Sequence, residues 1–241
     1  MYICAYVRKN EHWGLKGMTI RNFMKFAFWG ILLGGTLTAI ASFFIRYDVY
    51  APFIEAGEYG EVIATFVWMF LLGVTMAVIA QAGYFAYLTI HQIGVGVFKT
   101  LTLWNWVQLL LIVVVLVDLV IFRFMPDANT WQQHAFYIVL LVVLISSAIV
   151  TAMQKVKMTG KKHVFISALF FMIVVTSLEW LIALMGRAST SDSYVALLLF
   201  PLVAVNAYQL LMLPKYNAQS EQDRKRLQER KQLRAQQKIE A

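Results

Sequence analysis

The sequence predicts an all-α, polytopic membrane protein with six transmembrane helices in one bundle and both termini in the cytoplasm. Three observations support this fold class: the composition, six long apolar segments and the distribution of basic residues between the loops. Sixty per cent of the 241 residues are hydrophobic, only 14% are charged, and the mean hydropathy is +0.66. Soluble domains are about 25% charged, so this composition excludes an ordinary soluble fold.

The chain divides by composition into three parts. Residues 1–17 form an N-terminal extension, residues 18–213 form the membrane domain, and residues 214–241 form a basic cytoplasmic tail. The extension has no signal-peptide pattern. Since the stretch from Met18 resembles the short basic start of a bacterial membrane protein, we expect translation in the cell to begin there. N-terminal sequencing that found Tyr2 or Ile3 would contradict this.

Six apolar segments are each near or above the roughly 20 residues that cross the hydrocarbon core of a bilayer. They are residues 23–45, 62–90, 101–122, 134–153, 163–185 and 194–213. Lipid-exposed irregular backbone is not viable, so each segment is predicted to be a helix. Pro126 and Pro214 are predicted to end the third and sixth helices, whereas Pro201 lies inside the sixth and predicts a kink.

The second segment opens with an acidic turn. Glu55, Glu58 and Glu61 are predicted to lie where the first N–H groups of the helix are unsatisfied, each stabilised by about 0.3–1 kcal/mol. Within this turn, Gly57, Glu58, Gly60 and Glu61 form a candidate outer contact surface.

The basic residues are distributed unevenly between the loops. All but three of the 21 Lys and Arg residues precede or enter the first segment, or lie between the second and third, between the fourth and fifth, or after the sixth. The alternate loops hold only Arg46, Arg123 and Arg187. By the positive-inside rule both termini are therefore cytoplasmic. The net charge of +8 lies beside the membrane segments, so it indicates attraction to anionic lipid at the cytoplasmic face rather than nucleic-acid binding.

Asp118 and Glu179 are the only carboxylates inside the predicted segments. A charged Asp at mid-helix costs about 2.5–3.5 kcal/mol, so both side chains are expected to face the bundle interior, to pair or to be protonated. Both are predicted at a similar depth in the outer half of the bundle, near Arg46, Arg123 or Arg187. Two interpretations stay open: a functional polar site, or a structural interhelix hydrogen bond or ion pair.

Two further sets of residues suggest helix contacts. Gly30 and Gly34 form a Gly-x-x-x-Gly face on the first segment, which permits close approach of another helix. A second polar group is predicted towards the cytoplasm, where amides usually act as interhelical hydrogen-bonding groups. Its members are Gln81, His91, Asn105, Gln108, Asn206 and Gln209.

Several classes of enzyme and cofactor site have no sequence signature here. The chain lacks a Gly-x-Ser-x-Gly elbow, a His-Glu-x-x-His pair and a phosphate-binding glycine loop. The four histidines are scattered between the two predicted membrane sides, and Cys4 is the single cysteine. The sequence thus predicts no enzyme, no metal site and no cofactor, although an intramembrane enzyme acting on lipid stays an unfavoured alternative.

Four short stretches resemble a known family. They are Thr19-Ile-Arg-Asn-Phe, Gly34-Gly35, Ala56-Gly-Glu-Tyr-Gly-Glu61 and Gly83-Tyr-Phe-Ala-Tyr-Leu-Thr-Ile-His91. With the surrounding chain from Met18 to Pro214, they are similar to the KinB-signalling pathway activation proteins (KbaA) of spore-forming bacteria. The resemblance implies a multipass plasma-membrane protein that promotes signalling by the sensor histidine kinase KinB towards sporulation. It carries over no active-site residues.

The predicted function is that of an accessory activator acting by helix-to-helix contact with a membrane sensor histidine kinase. The candidate contact surfaces are the Gly30 and Gly34 face, the outer turn and the basic loop 155–162. The rival prediction is a small-molecule or proton-coupled transporter that uses Asp118 and Glu179 as coupling carboxylates.

Overall fold

The computed structural model describes residues 18–125, 128, 130–185 and 191–240, and every regular element in this part of the chain is helical. Two elements are π-helical turns, each of which directly continues an α-helix. In chain order the elements are α1 (Ile20–Ile45), α2 (Tyr47–Glu55), α3 (Tyr59–Phe98), α4 (Leu101–Asp118), π1 (Leu119–Phe124), α5 (Trp131–Thr159), α6 (Val164–Phe170), π2 (Phe171–Val175), α7 (Thr176–Met185) and α8 (Asp192–Glu240).

Six stretches of the described chain are long and apolar enough to cross a bilayer, which confirms the all-α class and the six predicted segments. They are Ile20–Ile45, Tyr59–Phe98, Leu101–Phe124, Trp131–Thr159, Val164–Met185 and Asp192–Leu233. The third and fifth each contain one π-helical turn. Residues 1–17, Pro126, Asp127 and Arg187 lie outside the described residues, so the predictions made for them stay predictions.

Two spans begin at threonine side chains that replace missing backbone partners. The Thr100 Oγ1 accepts a hydrogen bond from the Leu103 N–H at 3.3 Å, and this bond caps α4. Thr130 and Gln133 form a reciprocal capping box at the start of α5. Such caps stabilise a helix terminus by about 1 kcal/mol each.

A short helix between the first two spans was missed by the sequence analysis. Helix α2 contains Pro52, and its Tyr50 ring is buried, with the hydroxyl 2.7 Å from the Ser42 Oγ of α1. Because α2 ends at Glu55, the prediction that this residue lies at the N-terminus of the second span is wrong. Glu61 does lie in the first turn of α3, and Glu58 precedes that helix.

The last helix is longer than predicted. Helix α8 runs without interruption through Pro201 and Pro214 to Glu240, so the prediction that Pro214 ends it is wrong. Proline removes one hydrogen bond and crowds the preceding turn. Here the segment after it is rich in Lys, Arg, Gln and Glu, which are strong helix formers and continue the helix.

The described chain separates into two compact units, residues 29–211 and a smaller unit that contains residues 18–28 and 212–240. In the described part of the smaller unit, the Arg21 guanidinium lies 2.9 Å from the Asp223 carboxylate, and Asn22 donates hydrogen bonds to Asp223 and Ser220. Asp223 belongs to the charged part of α8, beyond its apolar segment. The hydrogen bonds from Arg21 and Asn22 lower the pKa of this carboxyl below its usual value.

The larger unit holds the core of the membrane domain. Leu144, Leu198 and Leu202 are fully buried between helices together with the Trp180 ring, whose Nε1–H donates to the Val195 carbonyl at 3.0 Å. Many large apolar side chains on the outer helix faces are exposed instead. An apolar exterior of this kind is what a bilayer requires.

Candidate buried polar site

Glu179 lies in the interior of the larger unit, near the start of α7. This residue is only 3% exposed, and helix α7 follows directly on π2. The Asn206 Nδ2 of α8 donates to Glu179 Oε2 at 2.6 Å and to Thr176 Oγ1 at 2.9 Å. One amide therefore connects a carboxyl group and a hydroxyl group of α7 to α8.

Gly83 of α3 makes room for the carboxyl group. A Cβ atom at this position would lie 1.9 Å from Glu179 Oε1 and 2.8 Å from its carboxyl carbon. No side-chain bearing residue fits here unless Glu179 moves, because real Cβ contacts below 3.0 Å are essentially never seen. Three helices, α3, α7 and α8, thus converge on the carboxyl group.

Several buried polar atoms of α7 and of the apolar part of α8 have no hydrogen-bond partner among the described residues. They are Glu179 Oε1, Asn206 Oδ1, Ser177 Oγ and both amide atoms of Gln209. Buried polar atoms are normally paired with protein groups or ordered water, so each unpaired atom raises the free energy of the folded state. A carboxyl oxygen in this position can bind a proton or a single hydrogen-bond donor.

Asp118 does not belong to this site. Its side chain is exposed on α4, and it makes no hydrogen bond or ion pair with the described residues. Both side chains were expected to face the bundle interior. This prediction is confirmed for Glu179 and wrong for Asp118. The Arg46 guanidinium lies over the Tyr194 ring, 5.3 Å from its centroid, at the start of α8.

The six residues of the second polar group do not form one cluster as predicted. Asn206 hydrogen bonds to Glu179, whereas His91 and Gln108 make separate interhelical bonds. His91 accepts at Nδ1 a hydrogen bond of 3.0 Å from Trp104 Nε1. Gln108 Oε1 accepts one of 3.1 Å from Ser167 Oγ. These bonds connect α3 to α4 and α4 to α6, so the interhelical hydrogen bonding predicted for this group is present at both residues. Among the described residues no group of three His, Cys, Asp or Glu residues could hold a metal ion.

The Gly30 and Gly34 face makes its close contacts inside this chain. A Cβ atom at Gly34 would lie 2.7 Å from the Ala77 Cβ and 3.1 Å from a Val205 methyl carbon. A Cβ atom at Gly30 would lie 3.3 Å from the Gln81 amide nitrogen. Both glycines are buried. The close helix approach predicted from the motif is therefore present, and it leaves no free surface for another protein at these two positions.

The other candidate surfaces differ in exposure. Gly57, Glu58, Gly60 and Glu61 are all exposed, and Gly57 has the positive φ of +74° that a tight turn between α2 and α3 requires. In the basic loop, Lys155 is buried and its ammonium group donates to the Leu210 carbonyl, so the expectation that Lys155 is a surface residue is wrong. Lys157 and Lys162 are exposed.

Gly83 and Thr176 were not predicted as site residues. A glycine in an apolar helix has many explanations, and a threonine one turn before a carboxylate is weak evidence on its own. Their role is evident only once α3, α7 and α8 are packed together.

The comparisons with known proteins decide the family. The profile described as "KbaA: KinB-signalling pathway activation in sporulation" matches residues 34–216. A protein of Bacillus subtilis (strain 168) called "KinB-signaling pathway activation protein" is 36% identical over 201 residues, which cover 83% of this chain and 100% of that protein.

The chain belongs to the KbaA family. The resemblance found in the sequence is thereby confirmed, and KbaA proteins are named for signalling activation rather than for an enzymatic reaction. The KbaA match includes Gly83, Glu179, Asn206 and the outer turn, whereas Thr19-Ile-Arg-Asn-Phe lies before it. No solved structure matches this chain.

Proposed function

We propose that this protein is an integral membrane accessory protein that activates a KinB-type sensor histidine kinase pathway leading to sporulation. The observation that carries the proposal is membership of the KbaA family, with a B. subtilis relative matched over its whole length. Six long apolar helices with exposed apolar faces support a site of action inside the membrane.

The proposed mechanism is helix-to-helix contact with the kinase. A partner changes the activity of a two-state kinase only by binding one state more tightly, and a tenfold shift needs about 1.4 kcal/mol of differential affinity. The burial of Gly30 and Gly34 directs the search for the contact to other surfaces. The exposed outer turn and the exposed Lys157 and Lys162 stay candidates.

We propose that both termini are cytoplasmic, since nearly all basic residues outside the spans fall on one side of a six-helix arrangement. In a Cys4→Ser background, a cysteine at Glu58 is expected to react with a membrane-impermeant maleimide in intact cells. A cysteine at Lys162 is expected to react only after permeabilisation. Both positions are exposed, so the reverse labelling pattern would contradict the orientation.

Anionic lipid is the proposed partner of the cytoplasmic ends. A cavity of about 420 Å³ in the smaller unit is lined by Arg21, Arg226 and Arg230, with Asp223 as its carboxylate. Basic residues close to an anionic membrane surface add about 1 kcal/mol of attraction each. This lipid contact would hold the start of α1 and the charged part of α8 near the membrane.

Complementation tests the proposed function. Expressed in B. subtilis from which the related activation protein has been deleted, this chain is expected to raise the sporulation frequency above that of an empty-vector control. The increase should disappear when the kinase KinB is also deleted. An increase that persists without KinB, or no increase from a protein that is present in the membrane, would contradict the proposal.

The transporter alternative is favoured by one observation, the unpaired buried Oε1 of Glu179. It is weakened because Asp118, the second coupling carboxylate, lies outside that site. In the same complementation assay we expect Glu179→Gln to retain activity at normal protein level. Loss of activity at normal protein level would shift the assignment to transport.

A further inference from the structure

Asp118 occupies an unusual position for an ionisable residue. Counted at 1.5 Å per residue, it lies about 26 Å from Leu101 and about 9 Å from Phe124, the ends of its span. It is exposed on the helix face and has no hydrogen-bond or ion-pair partner among the described residues. Carboxylates within membrane spans almost always face a protein interior or a water-filled cavity.

The residues around Asp118 form an apolar stripe at the spacing used in helix packing. Leu111 and Val114 precede it by seven and four residues and are 37% and 43% exposed. Phe122 follows in π1 and is 76% exposed. Positions three, four and seven residues apart lie on one helix face. We call Leu111, Val114, Asp118 and Phe122 the Asp118 stripe.

The Asp118 side chain is too short to extend from this position to the end of its span. Lys and Arg can extend their long side chains to the membrane surface, but an aspartate side chain has a single methylene group. The backbone immediately after it is π-helical, and π-helical turns occur frequently at functional sites. A charged carboxylate in this setting needs a partner from outside the described residues.

We infer that the Asp118 stripe binds a transmembrane helix of another protein that carries a cationic side chain, Lys, Arg or His, at the depth of Asp118. Charge complementarity decides the class of partner. A second copy of this chain packed through the same stripe would bring two carboxylates together, which is unfavourable. The identity of the partner as the sensor kinase rests on the proposed function, whereas the location of the contact does not.

Site-specific photo-crosslinking in membranes that contain the kinase tests this inference. A photoreactive residue at Val114 is expected to form an adduct with the kinase, identified by an antibody to it. Ile138 of α5 is the matched control, because it is an apolar helical position with 56% exposure, and no adduct is expected from it. Adding Asp118→Leu should reduce the Val114 adduct about tenfold or more, because removal of one charge leaves its partner buried and unpaired, whereas Asp118→Glu should largely retain it.

The outcomes separate the two claims. Kinase adducts from Ile138 but not from Val114 would overturn the stripe and leave the proposed function standing. Alternatively, Val114 could form an Asp118-dependent adduct with a different membrane protein. If Asp118→Lys abolished this adduct and replacement of that protein's cationic residue with Asp restored it, the stripe would be retained and direct kinase contact overturned. An adduct with a second copy of this chain, no adduct from Val114, or an adduct insensitive to Asp118→Leu would overturn the inference.

Discussion

Replacing Gly73 with alanine is expected to destabilise the packing of α3 on α1. The new Cβ atom would lie 2.4 Å from the Gly34 carbonyl oxygen and 2.4 Å from Thr38 Oγ1, both on α1. The carbonyl is backbone, and the Thr38 hydroxyl is itself hydrogen bonded to it at 2.7 Å. Helix α1 must therefore move away from α3, and overpacking of this kind costs about 1–3 kcal/mol or more.

Helix α3 offers a matched control for this substitution. A Cβ atom at Gly96 would meet nothing within 4 Å. Gly96→Ala is therefore expected to leave the free energy of unfolding unchanged or to raise it by up to about 1 kcal/mol, because alanine is the better helix former. The free energy is measured by titration of the purified protein from mild detergent into a denaturing one. Equal stability of the two variants would contradict the close packing of α1 on α3.

The second large effect is a coupling between Gly83 and Glu179. Gly83→Ala alone is expected to be destabilising, because its Cβ atom would overlap the buried carboxyl group and force it away from its partner Asn206. When Glu179→Ala is already present, adding Gly83→Ala should cost much less free energy of unfolding, since the obstructing carboxyl group is gone. Residues in direct contact show interaction energies of about 0.5–3 kcal/mol in such cycles.

The control cycle pairs Gly96→Ala with Glu179→Ala, whose effects on the free energy of unfolding should add. If the Gly83 cycle were equally additive, the Glu179 carboxyl group would not lie against α3. The cycle also removes the bond to Asn206 in both Glu179 variants, so that loss cancels from the coupling.

The sequence predicted what depends on length and composition. Six apolar segments of sufficient length define six spans, because a bilayer of fixed thickness sets a simple requirement. The ends of the helices were predicted less well. Pro214 was expected to end α8, but the charged segment that follows consists of strong helix formers, and their summed preference continued the helix.

The sequence could not predict which face of each helix is buried. Asp118 and Glu179 look equivalent in the sequence, since each is a single carboxylate in a long apolar segment. A soluble helix reveals its buried face as an apolar stripe opposite a polar face, whereas a membrane helix is apolar all round. Only the packing of α3, α7 and α8 shows that Glu179 points inwards to Asn206, and that Asp118 does not.

The glycine motif illustrates the same limit. Gly30 and Gly34 correctly indicated a close helix contact, but the spacing alone cannot distinguish a contact within the chain from one with a partner. The neighbours Ala77 and Val205 assign the contact at Gly34 to the chain itself. A partner surface in this protein is better sought where a polar group is exposed on a span, as Asp118 is.

The most direct test of the central claim is kinase autophosphorylation in co-reconstituted vesicles. The purified kinase KinB is placed in vesicles that contain anionic lipid, together with this protein or with an unrelated six-helix membrane protein. The account predicts faster autophosphorylation with this protein only, by about tenfold for 1.4 kcal/mol of differential affinity. Equal rates in the two preparations, with both proteins inserted and the kinase active, would contradict activation by direct contact in the membrane.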